Sequence, residues 1–431
     1  MSTSVSGKAS KPLVLRAAKG FGFKEGTIPN PVVVVEGGII KAAGKASEVT
    51  LPENADVIDL GNATLMPGMV DAHMHLTGFR SGDMVKEPLL TPWGVLIARA
   101  IKDLEAILNA GFTTIKDSGS MIALDLREAV KEGTVMGPRI VAAGPPLTQT
   151  FGHADTHYLP VKLVDVRESP LRGPFGSLIC DGEAECRKAA RYAFRCGADY
   201  IKIMATGGVL SQKDSPRFRQ FTREEIRAIV DEAEAVGTFV EAHAQGSEGI
   251  VNALVSGVKV IAHAIYIDEE GIQLAKERGA IITPTFSIVQ RIIDMGQEAG
   301  IPEWGLRKAE EVFKDHEKNI RNAYRAGVKI ATGTDFLGGF LTPHGMNAME
   351  VKMLVDKAGM TPEEALTSAT KVAAEAAGLA GKAGEIREGF IADIIAVAGD
   401  PTTDVTPLLN PSNVIMVMKE GKIVKKAFDG A

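Results

Sequence analysis

The sequence has few cysteines, and they lie close together. Cys180, Cys186 and Cys196 are the three cysteines among 431 residues. Their spacings match neither a CxxC motif nor a paired disulfide framework, which disfavours disulfides and cysteine-rich zinc sites. We therefore expect reduced, buried thiols.

An excess of positive charge is also missing. The formal net charge is −6, and no cluster of lysine and arginine with interleaved aromatic residues occurs. The chain thus offers no basic field to nucleic acid or to anionic lipid. We expect small-molecule or dipeptide-like substrates, and neither nucleic acid nor a membrane as a partner.

Long apolar runs are absent as well. No stretch approaches the ~18 unbroken apolar residues of a membrane span. The polar N-terminus MSTSVSGKASKP lacks the apolar core of a signal peptide. These absences predict a cytoplasmic location. The remaining composition, 45% hydrophobic and 24% charged, is typical of an α/β protein.

Both ends of the chain have the pattern of short β-strands broken by glycine, asparagine and proline. Examples are PVVVVEGGIIKAAG near the N-terminus and NVIMVMKEGKIVKKA near the C-terminus. We predict that residues 1–66 and 381–431 together complete one small β-sandwich. Pro67-Gly68 then joins it to the domain between.

Residues 67–380 alternate β-type runs with helical stretches such as TREEIRAIVDEAEAVG, which opens with a capping box. Eight runs predict a (β/α)8 TIM barrel of the α/β class. A doubly wound open sheet is the competitor, but it would need a GxGxxG turn after the first strand, which ends in HMH instead. The runs are 69–76, 112–119, 139–147, 200–208, 238–246, 259–266, 280–287 and 329–336.

Histidines and one aspartate mark the ends of these predicted strands. Residues i and i+2 of a strand face the same way, so His73 and His75 point into the same space. His243 ends the fifth run, His263 the sixth, and Asp335 lies at the end of the eighth. Because the carboxyl ends of barrel strands converge on one mouth, these side chains should meet there. Four imidazoles and a carboxylate suit Zn²⁺ or a similar ion.

The fourth run, YIKIMATGG, contributes Lys202. An ammonium among metal cations would be repelled. Either this side chain faces elsewhere, for instance by snorkelling to solvent, or its charge has been removed.

These motifs together resemble the amidohydrolase superfamily over essentially the whole chain. In its binuclear members the lysine of the fourth strand is carboxylated by CO₂ and bridges two metals. The resemblance implies two divalent ions, and Zn²⁺ is the expected metal. His73, His75 and Asp335 would hold the first, His243 and His263 the second, and carboxylated Lys202 both.

The resemblance also implies a mechanism. Two ions about 3.5–4 Å apart share a bridging water, lower its pKa and polarise a carbonyl oxygen. Asp335 would accept the proton of that hydroxide and deliver one to the leaving nitrogen.

The segments after strands three, four and eight resemble one branch of the superfamily. That branch contains metal-dependent carboxypeptidases and dipeptidases acting on Xaa-Pro, Xaa-Arg/Lys or N-acyl amino acids, and amidases that remove phenylalanine from ochratoxin. The chain departs from it at Gln245, where histidine or tyrosine often stands, and after His263, where Ala-Ile-Tyr replaces a common glycine.

The residues suggest several substrate contacts. A substrate carboxylate would suit Arg217 or Arg219, although solvated loop arginines are equally consistent with the sequence. His153, in FGHAD, is the best candidate for a contact to the substrate carbonyl, with His157 and His344 weaker. Tyr266 would hydrogen-bond the substrate or pack.

Two other functions remain open at this point. One is hydrolysis of cyclic amides, ureas or carbamates on the same fold, although mononuclear imidazolonepropionase-like members lack the lysine. The other is a scaffold without catalysis, which the filled ligand positions disfavour. A homo-oligomer is expected from the resemblance.

Overall fold

The computed structural model describes residues 11–83, 86–169 and 176–428. Two sheets lie outside the central domain, and the larger one combines strands from both ends of the chain. One consists, in order across the sheet, of Ile39–Lys45, Pro31–Glu36, Leu13–Arg16 and Asp56–Asp59. The other consists of Lys422–Lys426, Val414–Lys419, Ile394–Val397, Thr64–Pro67, Lys19–Phe23 and Gly26–Pro29.

These two sheets share one apolar core. Leu15, Val33 and Ile40 of the first pack in the same buried cluster as Ile394 and Met416 of the second. Alternate residues of Pro31–Glu36 pack on opposite faces of the strand, because Val33 and Val35 belong to this cluster and Val32 and Val34 to a second one. The predicted β-sandwich from both chain ends is confirmed, while its exact boundaries stay a prediction.

The chain passes from the sandwich to the barrel at a closely packed residue. Strand Thr64–Pro67 ends one residue before the first barrel strand begins, and Gly68 lies between them. A Cβ on Gly68 would lie 2.1 Å from Thr113 Oγ1, and the Gly68 N–H donates to the Asp393 carbonyl at 2.9 Å. Glycine fits here because the Thr113 side chain of the neighbouring barrel strand occupies the space that a Cβ would need.

The central domain is a parallel barrel, and each of the eight predicted runs contains one of its strands. Backbone bonds close the barrel between the last and first strands: Ala72 N–H donates to Thr332 O at 3.0 Å, and Asp335 N–H to His73 O at 2.7 Å. The TIM barrel is thereby confirmed. Its strands are Met69–Met74, Phe112–Asp117, Arg139–Ala142 continued by Leu147–Thr148, Ile201–Met204, Val240–Ala244, Val260–His263, Ile281–Thr283 and Lys329–Ile330.

The third strand differs from the prediction because it is interrupted. The break falls at Gly144-Pro145-Pro146, where the prolines lack the N–H groups that a strand ladder needs. Its continuation, Leu147–Thr148, pairs with a short additional strand, Leu178–Ile179, which the sequence pattern did not predict.

Helices alternate with the barrel strands. Arg223–Ala235 confirms the predicted helix, and Thr222 and Glu225 form its capping box. Of the described helices, none is long and apolar enough to cross a membrane. Besides Arg223–Ala235, the described α-helices are Lys86–Leu90, Trp93–Asn109, Met121–Glu132, Val161–Val164, Glu183–Cys196, Ser247–Val255, Glu269–Arg278, Phe286–Met295, Glu303–Arg325, Ala348–Met353, Pro362–Thr367 and Ala373–Ala376. There are also π-helical turns at Leu354–Ala358 and Ser368–Val372 and 3₁₀ turns at Thr406–Leu409 and Pro411–Asn413.

A buried carboxyl caps helix Phe286–Met295. Glu350 accepts hydrogen bonds from the N–H groups of Phe286 at 3.0 Å and Ser287 at 2.8 Å. Burial raises the pKa of Glu350 from its usual value to about 7, because the effect of burial on the pKa is larger than the opposite effect of these hydrogen bonds. Between the unfolded pKa and about pH 7 the folded state therefore holds a proton that the unfolded state has released.

Stability is accordingly expected to fall as the pH rises through this window, by up to ~3 kcal/mol from this one group. Glu350→Gln removes the titration. The difference in thermal midpoint between the variant and the parent, measured from pH 5 to pH 8, should therefore shift in favour of the variant as the pH increases. A difference between the two proteins that is constant across this range would contradict the prediction.

Candidate metal centre

The candidate ligands meet at the mouth of the barrel, as predicted from their positions at strand ends. The ring centroids of His73 and His75 are 5.7 Å apart, those of His73 and His263 5.1 Å, and those of His243 and His263 4.6 Å. Asp335 Oδ1 lies 3.1 Å from His75 Nε2 and 3.4 Å from His73 Nε2. Side chains from strands far apart in the sequence thus form one cluster.

Part of this cluster has the compactness of a metal site. One donor atom each of His73, His263 and Asp335 lie within 4.8 Å of one another. Burial is the main reason that the pKa of His243 and that of His263 lie well below the usual value. Both imidazoles are therefore neutral at pH 7, the form in which histidine binds a metal. The donor set fits a borderline divalent ion.

Two of these residues have an unusual backbone. His263 has φ of 72° and Asp335 has φ of 58°, in the left-handed region that non-glycine residues rarely adopt. Such conformations cluster at functional sites, where the surrounding structure holds them in place. His263 is the last residue of its strand, Asp335 lies five residues beyond strand Lys329–Ile330, and both side chains line the cavity.

Lys202 faces the interior, so the alternative that it snorkels to solvent is wrong. Its side chain is 1% exposed, and its Nζ lies 3.2 Å from Glu241 Oε1. Burial and, to a smaller extent, the charge of Lys202 lower the pKa values of His243 and His263. An ammonium at this position therefore opposes any cation among the imidazoles.

Sequence reasoning missed Glu241, whose carboxylate contacts Lys116, Lys202 and His73. We call Glu241 and the two lysines the floor of the site. This fully buried carboxylate accepts from His73 Nδ1 and pairs with Lys116 Nζ at 2.6 Å. Burial alone would raise the pKa of Glu241, but the charges of Lys116 and Lys202 hold it well below its usual range. The signal was available, because Glu241 precedes His243 by two residues and so faces the same side of the strand.

Glu241 also determines which nitrogen of His73 is available. Its carboxylate oxygen accepts a hydrogen bond from Nδ1, so Nε2 is the nitrogen that faces Asp335. Carboxylates in this position fix the tautomer and raise the basicity of a ligating histidine.

A cavity of about 600 Å³ opens onto the cluster, and all six candidate ligands line it. His153, His157 and Gln245 also line it. Much of the remaining wall is apolar, including Trp93, Leu163, Val209, Ile288 and Ile292. The arrangement is that of a small-molecule site with convergent polar groups at one end.

Four of the predicted substrate contacts are not among the residues that line this cavity. Arg217 stacks on the Tyr266 ring at 3.8 Å. Arg219 pairs with Glu248 at 3.1 Å and donates to the Phe221 carbonyl. His344 is buried and donates from Nε2 to the His75 carbonyl at 3.2 Å. Their role as substrate contacts stays a prediction.

None of the three cysteines is a candidate metal ligand, although Cys196 lines the cavity. Cys180 and Cys186 are buried and Cys196 is half-buried, and all three are free thiols. The sulfur atoms of Cys180 and Cys186 are 3.6 Å apart.

Comparison with known proteins places the chain among hydrolases. Residues 64–424 match the amidohydrolase family. Ochratoxinase from Aspergillus niger is 36% identical over 375 residues, which are 84% of this chain and 75% of that protein. Its crystal structure has a TM-score of 0.88 at 32% identity and covers 97% of each chain.

A prolidase complexed with N-methylphosphonate-L-proline is also similar. That structure has a TM-score of 0.87 at 33% identity, with 96% of this chain and 100% of that chain covered. A Xaa-Pro dipeptidase with bound methionine in its active site has a TM-score of 0.83 at 31% identity, with 96% and 100% covered.

Proposed function

The chain belongs to the amidohydrolase family and is a hydrolase acting on C–N bonds. We propose that it cleaves an amide bond to an amino acid. The observation that carries the proposal is the convergence of four imidazoles, Asp335 and a buried lysine on one cavity. Function is carried by such a site rather than by the barrel around it.

We propose that two divalent ions bind here. His73, His75 and Asp335 would hold one, and His243 and His263 the other. Neutral imidazoles and an ionised carboxylate are the donors that Zn²⁺ takes. The pKa of Asp335 supports this, because the bonds from His73 and His75 outweigh burial and hold it well below its usual range.

Lys202 is proposed to be carboxylated and to bind both ions. The charge balance of the floor supports this. Two buried ammonium groups, Lys116 and Lys202, share the single carboxylate of Glu241. Carboxylation replaces one ammonium by an anion, which leaves Lys116 and Glu241 as a matched pair. The charge that opposes cation binding is then gone.

Bound divalent ions would supply Lewis acidity, activating water and polarising the substrate carbonyl. The protein's own contribution is the movement of the proton. Asp335 lines the cavity and its side chain remains 21% exposed, so it reaches both the attacking water and the leaving nitrogen. It is proposed to accept a proton at its carboxylate and to return one to the leaving amine.

The proposed substrates are dipeptides and N-acyl amino acids. The similar ochratoxinase, prolidase and Xaa-Pro dipeptidase support an amide whose amine side is an amino acid. The apolar wall of the cavity suits a bulky apolar group on such a substrate. Ochratoxin belongs in the test panel for this reason.

The test combines metal analysis with a substrate panel. Protein purified without chelator should contain Zn²⁺ or a related ion, lose activity when the ion is removed, and regain it on reconstitution. Dipeptides, N-acyl amino acids and ochratoxin should be hydrolysed in preference to cyclic imides. The Lys202→Ala variant should lose both metal and activity, whereas Lys213→Ala, an exposed lysine on the following loop, should retain both. A metal-free protein together with a fully active Lys202→Ala variant would overturn the proposal.

A further inference from the structure

His153 is held firmly although it is not one of the proposed metal ligands. Its ring stacks on His243, with centroids 4.2 Å apart and an interplanar angle of 19°. Gly208 also lies against this ring, because a Cβ there would come within 2.2 Å of His153 Cε1. These contacts restrict the ring to one plane and leave the in-plane orientation to its hydrogen bonds.

That orientation is set by Ser211 and Asp214. His153 Nδ1 lies 2.9 Å from Ser211 Oγ, and Ser211 Oγ in turn hydrogen-bonds Asp214 Oδ1. The second oxygen, Asp214 Oδ2, lies 3.6 Å from His153 Nδ1.

The direction of each bond follows from the charge of Asp214. Burial would raise the pKa of this carboxyl, but its contacts with His153, Ser211 and Lys308 lower it to about 2. An ionised carboxylate only accepts, so the one hydroxyl hydrogen of Ser211 goes to Asp214. Ser211 Oγ must then accept from His153, whose Nδ1 therefore carries hydrogen.

Lys308 fixes the loop on which this chain of bonds depends. It projects from helix Glu303–Arg325 and donates to three carbonyls of the loop, those of Gly208 at 3.1 Å, Ser211 at 2.7 Å and Asp214 at 2.7 Å. Its side chain is 13% exposed and its Nζ lies 3.7 Å from Asp214 Oδ1. One ammonium thus holds the turn that carries both Ser211 and Asp214.

We propose that Asp214, Ser211 and Lys308 are positioning residues that hold His153 with Nδ1 protonated and Nε2 directed to the scissile amide of the substrate. With its hydrogen on Nδ1, His153 presents Nε2 as an acceptor for the amide N–H of a dipeptide or an N-acyl amino acid. The step rests on the proposed amide hydrolysis. It adds a second group beside Asp335 that contacts the reacting atoms.

The tautomer of His153 is the direct test, and it needs no substrate. Long-range ¹H–¹⁵N spectra of the ¹⁵N-labelled, zinc-reconstituted enzyme report which ring nitrogen carries hydrogen, and His153→Asn identifies the signals. We expect the Nδ1-protonated pattern in the parent and in Ser211→Thr, and its loss in Ser211→Ala. An Nε2-protonated pattern in the parent, or no change in Ser211→Ala, would overturn the proposal.

Kinetics on the best substrate of the panel give the second readout. Ser211→Ala should lower kcat by about 10–100-fold, the usual scale for a residue that orients an active group, with little change in KM or metal content. Lys308→Met should also lower kcat. The matched control is Ser215→Ala on the same loop, which should be unaffected.

The two proposals fail in distinguishable ways. If no panel substrate is hydrolysed, the spectra still decide the tautomer of His153. If Ser211→Ala and Ser215→Ala have the same kcat, the positioning role is wrong while metal-dependent hydrolysis stands.

Discussion

Asp335→Asn is expected to lower kcat by about 10²–10⁴-fold, the contribution of a positioned general acid and base. The amide of asparagine has nearly the same shape as the carboxylate but neither accepts nor returns a proton at neutral pH. Because Asp335 is also a proposed metal ligand, the metal content of each preparation must be measured beside its rate.

The matched control for this variant is Asp356→Asn. That carboxylate lies on a helix surface, paired with Lys352, and its removal should leave kcat unchanged. Full activity of a metal-loaded Asp335→Asn enzyme would show that another group moves the proton.

Glu241→Gln is expected to destabilise the protein by about 3–5 kcal/mol, the cost of leaving buried charges without their partner. Lys116 is 0% and Lys202 1% exposed, and both have Glu241 as their carboxylate partner. The same change replaces the charged acceptor of His73 Nδ1 by a neutral amide oxygen, which is a weaker acceptor. Metal affinity should consequently fall about 10–100-fold.

Chemical unfolding of metal-free protein measures the first effect and metal titration the second. Glu311→Gln is the surface control, because its partner Arg307 is exposed and such pairs contribute at most about 1 kcal/mol. Replacing Lys116 by methionine in the Glu241→Gln background should restore part of the lost stability. Equal stability of Glu241→Gln and the parent would show that the buried charges are compensated elsewhere.

The barrel was predictable because its signals are local and periodic. Alternation of β-type runs with capped helices requires only sequence neighbours, as the helix capped by Thr222 shows. The interrupted third strand is an instructive difference. Its apolar character predicted a continuous run, while the prolines after Gly144 break the ladder.

The substrate contacts were harder to predict because they depend on what a flexible side chain meets. Arg217 and Arg219 have the right chemistry for a carboxylate, yet Tyr266 and Glu248 engage them. His153 lines the cavity, and the partners that orient it come from a loop and a helix distant in sequence. Spacing alone carries no information about such partners.

The sequence by itself determined the fold class, the family and the strand-end positions of His73, His75, His243, His263 and Asp335. Periodicity and the geometry of parallel barrels suffice for the fold class and the positions, whereas the family follows from the resemblance of the motifs. Only the tertiary structure decided that Lys202 is buried, that Glu241 and Lys116 form the floor, and that Ser211 and Asp214 orient His153. The physical reason is that burial and charge pairing are properties of neighbours in space, which strands far apart in the chain bring together only on folding.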